Sequence, residues 1–97
     1  MNPRGERTMV TVQLDAMMRE FLPNRNLDLD ARSVEEVFVT LETRFPRLRF
    51  RLRDESGQVR RFIHVFVNGE DVGEKGGLTT PLQATDTVHI LHSIQGG

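Results

Sequence analysis

The sequence contains no cysteine, which excludes disulfide bonds, catalysis by a thiolate and metal sites that use cysteine ligands. It also lacks any apolar run close to the roughly 20 residues that a membrane-spanning helix needs. Residues 1–7 are polar and lack the apolar centre of a signal peptide. Together these absences predict a cytoplasmic protein with no membrane partner.

Positive charge is not in excess, since the formal net charge is −1. Nucleic-acid-binding proteins usually carry a positive excess, so no nucleic-acid partner is expected. The arginines are nonetheless clustered, because seven of the 12 fall within residues 44–61. A site for an anionic partner and a solvated face with interspersed acids both explain this run. We favour the solvated face, where charge runs usually lie.

The 97 residues are enough for one domain. Alternation of apolar and polar residues predicts strands, because successive side chains of a strand point to opposite faces. The predicted strands cover Met9–Leu14, Asn26–Asp30, 59–67, 70–72 and 87–94. The pair Asn68-Gly69 predicts a tight hairpin turn in which both residues adopt positive φ.

One helix is predicted after Ser33, whose hydroxyl has the spacing to accept from the Glu36 amide as an N-cap. Apolar residues then recur at helical spacing and form one stripe, which consists of Val34, Val37, Phe38, Leu41 and Phe45. Pro46 predicts the end of the helix, because its ring disfavours helical geometry at the preceding residue. Residues 47–53 fit either a strand or a short helical turn, and residues 15–25 form a longer connection.

This order of elements predicts an α+β fold in which a mixed sheet packs on one main helix. We expect a flexible extension at residues 1–7, one domain over residues 8–94 and a flexible tail at residues 95–97. Neither an internal repeat nor a low-complexity segment interrupts the domain.

The most informative feature is the pair Gly96-Gly97, which almost directly follows a strong predicted strand. Glycines lack a Cβ atom, so such a tail fits a narrow channel and approaches another backbone closely. A partner that uses ATP would convert the Gly97 carboxylate to an acyl adenylate. A sulfur nucleophile would then give a thiocarboxylate, and an amine would give an amide. The chain itself has no Gly-x-x-x-x-Gly-Lys phosphate loop for this activation.

Three other candidate sites are weaker. Two of the three histidines, His89 and His92, lie three apart on a predicted strand and so point to opposite faces, which disfavours a metal site. Acids that could form a catalytic pair fall in turns, where acids are common for conformational reasons; they are Glu70, Asp71, Glu74 and Asp86. A triad of Ser93, His92 and Asp86 lacks any sign of an oxyanion hole.

Several segments, in this order and spacing, resemble the MoaD/ThiS-like sulfur-carrier proteins, which are relatives of ubiquitin. The similarity is closest to the MoaD-like carriers that include those of cysteine biosynthesis, and it covers residues 8–97. It is carried by Val10-Thr11-Val12-Gln13-Leu14, Ser33-Val34-Glu35-Glu36-Val37, Arg44-Phe45-Pro46-Arg47-Leu48, Val65-Phe66-Val67-Asn68-Gly69-Glu70-Asp71-Val72, Asp86-Thr87-Val88-His89-Ile90-Leu91 and Gly96-Gly97.

The resemblance implies a ubiquitin-like β-grasp fold and a protein co-substrate rather than an enzyme. It implies two partners, an E1-like adenylating enzyme and a sulfur-accepting biosynthetic enzyme. The chain would bind no cofactor, and ATP and a sulfur source would be used by the activating partner. Gly97 would carry the sulfur and Gly96 would allow threading of the tail. The docking contacts to these partners would come from Gln95, Ile94, Leu91 and Phe66.

Three hypotheses therefore stand. The chain is a sulfur carrier, a ubiquitin-like modifier conjugated through Gly97, or a β-grasp interaction module in which the tail has no role. We favour the carrier. The sequence leaves open whether cysteine or methionine, molybdopterin, thiamin or specialised-metabolite synthesis receives the sulfur.

Overall fold

The computed structural model describes residues 7–19, 22, 26–73 and 75–93. Five strands form one sheet, in the order β2-β1-β5-β3-β4. The strands are β1 (Met9–Leu14), β2 (Asn26–Asp30), β3 (Ile63–Val67), β4 (Glu70–Asp71) and β5 (Thr87–His92). The sheet is mixed, since β5 runs parallel to β1 and antiparallel to β3. This confirms the predicted mixed sheet, although the boundaries differ in places.

The strands alternate as their sequences predict, with one face on the core and one open. In β1, Val10, Val12 and Leu14 are buried, whereas Met9 is exposed. The register continues this alternation across the sheet, because Val12 pairs with Val88 of β5. The register with β1 therefore places Val88 and Ile90 of β5 on the core face, and the side chains between them point outward.

The main helix, α2 (Val34–Arg44), packs across the core side of the sheet. Ser33 caps it, because the Ser33 hydroxyl oxygen accepts from the Glu36 amide at 3.2 Å. The Glu36 carboxylate reaches one residue further back than in a capping box and accepts from the Arg32 amide at 2.8 Å. Four residues of the predicted stripe are buried, namely Val34, Val37, Phe38 and Leu41. The fifth, Phe45, is the C-cap that follows the helix and is partly buried against the core.

The chain turns after α2 and stays helical. A 3₁₀ turn covers Pro46–Leu48 and is followed by the short helix α3 (Arg49–Leu52). Of the two interpretations of residues 47–53, the helical turn is the observed one. Its spacing buries Leu48 and Leu52 and leaves the residues between them exposed.

Two predicted elements need correction. The strand predicted over residues 59–67 begins only at Ile63. An isolated bridge between Arg53 and Val59 closes a turn over residues 54–58, and a second turn follows, in which the Ile63 amide donates to the Arg60 carbonyl oxygen at 2.9 Å. The connection predicted after β1 contains an unpredicted helical turn, α1 (Ala16–Arg19), which places Met18 fully in the core.

The hairpin between β3 and β4 is as predicted. Asn68 and Gly69 have φ of 51° and 86°, the left-handed geometry that a tight two-residue turn requires. A further 3₁₀ turn covers Gly77–Thr79, and β5 follows. A mixed sheet folded over one helix is the β-grasp arrangement, which confirms the predicted fold class. No helix in the described part of the chain is long and apolar enough to cross a bilayer.

Candidate functional site

The last described residues, at the end of β5, are held on both sides. The His92 amide donates to the Asp15 carboxylate Oδ2 at 2.6 Å, which ties the end of β5 to the end of β1. The Ser93 amide donates to the Phe62 carbonyl oxygen at 2.7 Å, which ties the next residue to the start of β3. We call this point, formed by Asp15, Phe62, His92 and Ser93, the tail exit.

The predicted tail, residues 95–97, and the predicted docking residue Ile94 lie outside the described residues. Their roles therefore stay predictions. The structure fixes where the segment starts, and four residues span at most about 14 Å when fully extended. Any enzyme that acts on Gly97 must therefore approach within about that distance of the tail exit.

The predicted docking residues Phe66 and Leu91 lie together on the open face of the sheet. Phe66 pairs with His89 in the antiparallel register of β3 and β5, and His64 pairs with Leu91. Phe66 and Leu91 are thus diagonal neighbours, a separation that aromatic side chains reach across. Both are partly exposed and line a shallow cleft of about 440 Å³, together with Gln13, Asn68, Gly69, Thr87 and His89.

A second depression, which we call the arginine groove, lies beside the tail exit. It measures about 290 Å³ and is lined by Arg47, Phe50, Arg51, Arg60, Phe62 and His92. The Phe62 and His92 rings contact each other with centroids 4.7 Å apart. Because side chains alternate along β5, His92 points to the helix side of the sheet, whereas Leu91 points to the open face. The groove therefore lies beside the tail exit on the helix side, and the cleft extends to it along the open face as far as Leu91.

Arg53, which follows α3, is the centre of a polar network that contacts α2. The Arg53 guanidinium donates to Glu42 at 2.7 Å and to Glu35 at 3.3 Å, and it lies 5.6 Å from the centre of the Phe38 ring. Burial by itself lowers the pKa of Arg53, but the hydrogen bonds and charges of Glu42 and Glu35 outweigh it and raise the pKa. Arg53 thus stays charged and joins α2 to the turn after α3.

The turn after α3 is organised by Asp54. Its carboxylate Oδ1 accepts from the Ser56 hydroxyl, the Ser56 amide and the Gln58 amide at 2.7–3.0 Å. The Ser56 hydroxyl contributes most to lowering the Asp54 pKa, followed by the Gln58 amide, and the nearby charge of Arg60 adds to them. This turn returns the chain so that Arg60 Nε donates to the Phe50 carbonyl oxygen at 2.8 Å, which closes one wall of the groove.

The weaker candidate sites do not assemble. Asp86 accepts from Asn68 and from the Gln83 amide before β5 begins, whereas His92 lies at the other end of the strand. The length of the strand separates the two by about 20 Å, so no triad with Ser93 forms. Glu70 pairs with Lys75, and Asp71 accepts from the Gly73 amide. Glu74 lies outside the described residues.

The histidines do not form one site, although His64 and His89 are diagonal neighbours in the register of β3 and β5. His64 and His89 lie on the open face, and His92 points to the other side of the sheet. Within the described residues, no three His, Asp or Glu side chains gather closely enough to hold a metal ion.

Two features of the site escaped sequence reasoning. Asp15 is separated from His92 by 77 positions, and a single aspartate after a strand has no pattern that marks it as a clamp. The arginine run predicts a solvated face, whereas three of its arginines line the arginine groove. The signal of the groove in the sequence is the position of Phe50 between Arg49 and Arg51, which alternation alone does not distinguish from a strand residue. Only the structure shows that Phe50 is 65% exposed.

Comparison with known proteins identifies relatives along nearly the whole chain. The profile of the ThiS family matches residues 12–97. The sulfur carrier protein CysO of Mycobacterium tuberculosis is 32% identical over 91 residues, which cover 91% of this chain and 98% of that protein.

Solved structures are also similar to this chain over nearly its whole length. The small archaeal modifier protein 1 (SAMP1) of Methanosarcina acetivorans superimposes with a TM-score of 0.85 at 26% identity, covering 96% of this chain and all of that one. A chain of the Amycolatopsis orientalis BexX/CysO complex gives 0.79 at 32% identity, covering 91% and 99%. The ubiquitin-like β-grasp fold and the sequence match together establish that the chain belongs to the ThiS family, whose relatives include sulfur carrier proteins.

Proposed function

We propose that the chain is a sulfur carrier that works through Gly97. An E1-like partner transfers AMP from ATP to the Gly97 carboxylate and releases pyrophosphate. A sulfide-type nucleophile then attacks the acyl carbon, AMP leaves, and a thiocarboxylate forms. The sulfur is finally passed to an acceptor enzyme. ATP and the sulfur source belong to the partners, and the chain contributes the acyl group and its recognition.

The observation that carries this proposal is the construction of the tail exit. Strand β5 lies between β1 and β3, and the Asp15 carboxylate and the Phe62 carbonyl oxygen hold its last residues. A rigid point of departure limits the positions that the following residues sample, which lowers the entropic cost of placing a reactive end in a partner. The sequence match to the ThiS family also runs through to Gly97.

The open-face cleft fits the docking role proposed for Phe66 and Leu91. Both side chains are partly exposed on the strands next to the tail exit, and polar groups surround them. An apolar centre with a polar rim is the usual composition of a protein interface. We assign Gly96 to threading, and Ile94 and Gln95 to contacts at the mouth of the partner's channel. A cytoplasmic site of action follows from the supply of ATP.

The test is detection of the thiocarboxylate. Protein isolated from its native host is incubated with host lysate, ATP and sulfide, treated with iodoacetamide, digested and analysed for the C-terminal peptide by mass spectrometry. Because the chain has no cysteine, alkylation of Gly97 marks the thiocarboxylate. A variant without Gly97 is the control. A Gly97 carboxylate that stays unmodified after incubation refutes the carrier. Intact mass is unsuitable, since sulfur replacing oxygen mimics oxidation of one of the four methionines.

A second candidate is conjugation to other proteins, which the similarity to SAMP1 favours. The same acyl adenylate attacked by a lysine amine gives an amide and releases AMP. Digested lysate would then yield branched peptides that carry the C-terminal residues on lysine. A third hypothesis is an interaction module in which the tail has no role. It predicts that one residue appended after Gly97 leaves the function unchanged, whereas the carrier and the modifier hypotheses both predict that this extension abolishes function.

A further inference from the structure

We infer that the arginine groove is a second docking surface, and that it takes an acidic, partly apolar segment of the protein that receives the tail. The inference rests on the proposed function, because it assigns the groove to the same partner. It differs from the open-face cleft in position, since the groove lies on the helix side of the tail exit.

Charge is strongly polarised along this chain. Residues 44–61 hold seven arginines and only two carboxylates, whereas the whole chain has a net charge of −1. The acids outside this segment therefore exceed the bases. Three of the seven arginines, Arg47, Arg51 and Arg60, line the groove. Such a local positive field attracts carboxylates and accelerates their encounter with the groove.

The groove also contains aromatic side chains, and hydrogen bonds hold its walls in place. Phe50 is the most exposed large apolar side chain among the described residues, at 65%. Its carbonyl oxygen accepts from Arg60, and the turn organised by Asp54 sets the position of Arg60. The contact between the Phe62 and His92 rings adds an aromatic surface. Exposed aromatic and arginine side chains in a fixed arrangement are the residues that dominate binding energy at protein interfaces.

The position of the groove beside the tail exit indicates which protein binds there. His92 and Phe62 belong both to the groove and to the tail exit. A partner that holds Gly97 must come within about 14 Å of that point. The surface of that partner then contacts the groove on one side of the tail exit and the cleft on the other. Carboxylates of the partner beside its binding site for Gly97 would pair with the arginines of the groove and orient the carrier.

A protein segment fits the groove better than a nucleic acid does. A volume of about 290 Å³ holds a few side chains, whereas nucleic acids spread their charge over many phosphates. The Asp54 carboxylate lies close enough to Arg60 of the groove for their charges to interact, and the chain outside residues 44–61 has more acids than bases. A long polyanion would be repelled beyond the groove, but a short segment with two or three carboxylates and an apolar residue for Phe50 would not.

The first experiment is independent of sulfur transfer. The isotope-labelled full chain is titrated with a capped peptide of alternating glutamate pairs and leucines, and NMR shifts are followed. We expect shifts centred on Phe50, Arg51, Phe62 and His92, and binding about five- to tenfold weaker in Phe50→Ala and Arg51→Glu. Arg49→Glu is the matched control, because it reverses the same charge on the same helix outside the groove. Equal losses in Arg49→Glu and Arg51→Glu would overturn the inference, as would tighter binding of a short single-stranded RNA at the same residues.

The second experiment uses the activating enzyme of the native host. The rate of thiocarboxylate formation is measured against carrier concentration. We expect Phe50→Ala and Arg51→Glu to raise KM about five- to tenfold with kcat nearly unchanged, and the salt dependence of KM to weaken in Arg51→Glu. Loading at wild-type KM in both variants overturns the inference while leaving the carrier intact. A wild-type chain that is never loaded refutes the carrier instead, and the peptide titration then decides the ligand of the groove.

Discussion

The His92 amide donates to the Asp15 carboxylate at 2.6 Å, across 77 positions of sequence. The bond joins the end of the central strand to the end of its parallel neighbour. One residue later, the Ser93 amide is held by Phe62 on the other side. The backbone that leads to the C-terminus is thus fixed where it leaves the sheet.

Asp15→Ala is expected to lower the free energy of unfolding by about 1–2 kcal/mol, because it removes a charged acceptor from a partly buried amide. The measurement is urea denaturation of the wild type and the variant. Asp28→Ala is the control, since its carboxylate accepts from Thr11 at an exposed site and is expected to cost less than about 0.5 kcal/mol. Equal costs for the two variants would show that the hydrogen bond between His92 and Asp15 does not anchor the end of β5.

Glu42→Gln is expected to destabilise the fold by about 2 kcal/mol, because it removes the charge that faces the Arg53 guanidinium at 2.7 Å in a largely buried pair. Glu35→Gln removes the second carboxylate, which lies at 3.3 Å on a side chain that is 44% exposed. We expect the Glu35 variant to cost less than about 1 kcal/mol. Denaturation midpoints of the two variants give the comparison, and the reverse order would show that Arg53 depends mainly on Glu35.

Stability is expected to depend on pH through Asp54. Its pKa is lowered in the fold from the usual 3.8, so its hydrogen bonds stabilise the native state fully above that value. This contribution is lost as the pH falls through the lowered pKa of the folded state. The difference in stability between the wild type and Asp54→Asn should therefore be present at about pH 6 and disappear in strong acid.

The control for Asp54 is Glu55→Gln, which removes a neighbouring charge but none of the hydrogen bonds that Asp54 accepts. Denaturation series at several pH values compare the two variants. An Asp54→Asn difference that grew as the pH fell would have the wrong sign and would refute this account of the turn.

Phe66→Ala and Leu91→Ala are each expected to weaken loading of Gly97 by about tenfold in KM, because each removes part of the apolar centre of the cleft. Met9→Ala is the matched control. It truncates another outward-facing apolar residue of the sheet, one that pairs with Asp30 at the far side and does not line the cleft. Saturation curves for thiocarboxylate formation decide the matter, and a comparable effect of Met9→Ala would point to general loss of stability.

The regular parts of the fold were predictable because their signals are local. Ser33 and Glu36 mark the start of α2 within four residues, and Asn68-Gly69 marks the hairpin within two. The predicted start of β3 was wrong by four residues, because Val59 pairs with Arg53 and a turn closed by the Ile63 amide and the Arg60 carbonyl oxygen precedes the strand. Arg53 also forms an ion pair with Glu42, a contact between residues 11 apart that no local pattern records.

The sequence alone determined the class of the fold, the membership of the open and core faces, and the glycine pair that led to the carrier hypothesis. Periodicity and turn chemistry act over a few residues, so they can be read from the chain. Only the tertiary structure decided that Asp15 and Phe62 hold the tail exit, that Phe66 and Leu91 meet on one face, and that Phe50 stands between arginines beside the exit. These relationships join residues that are distant in sequence, and it is strand order and helix packing that bring them together.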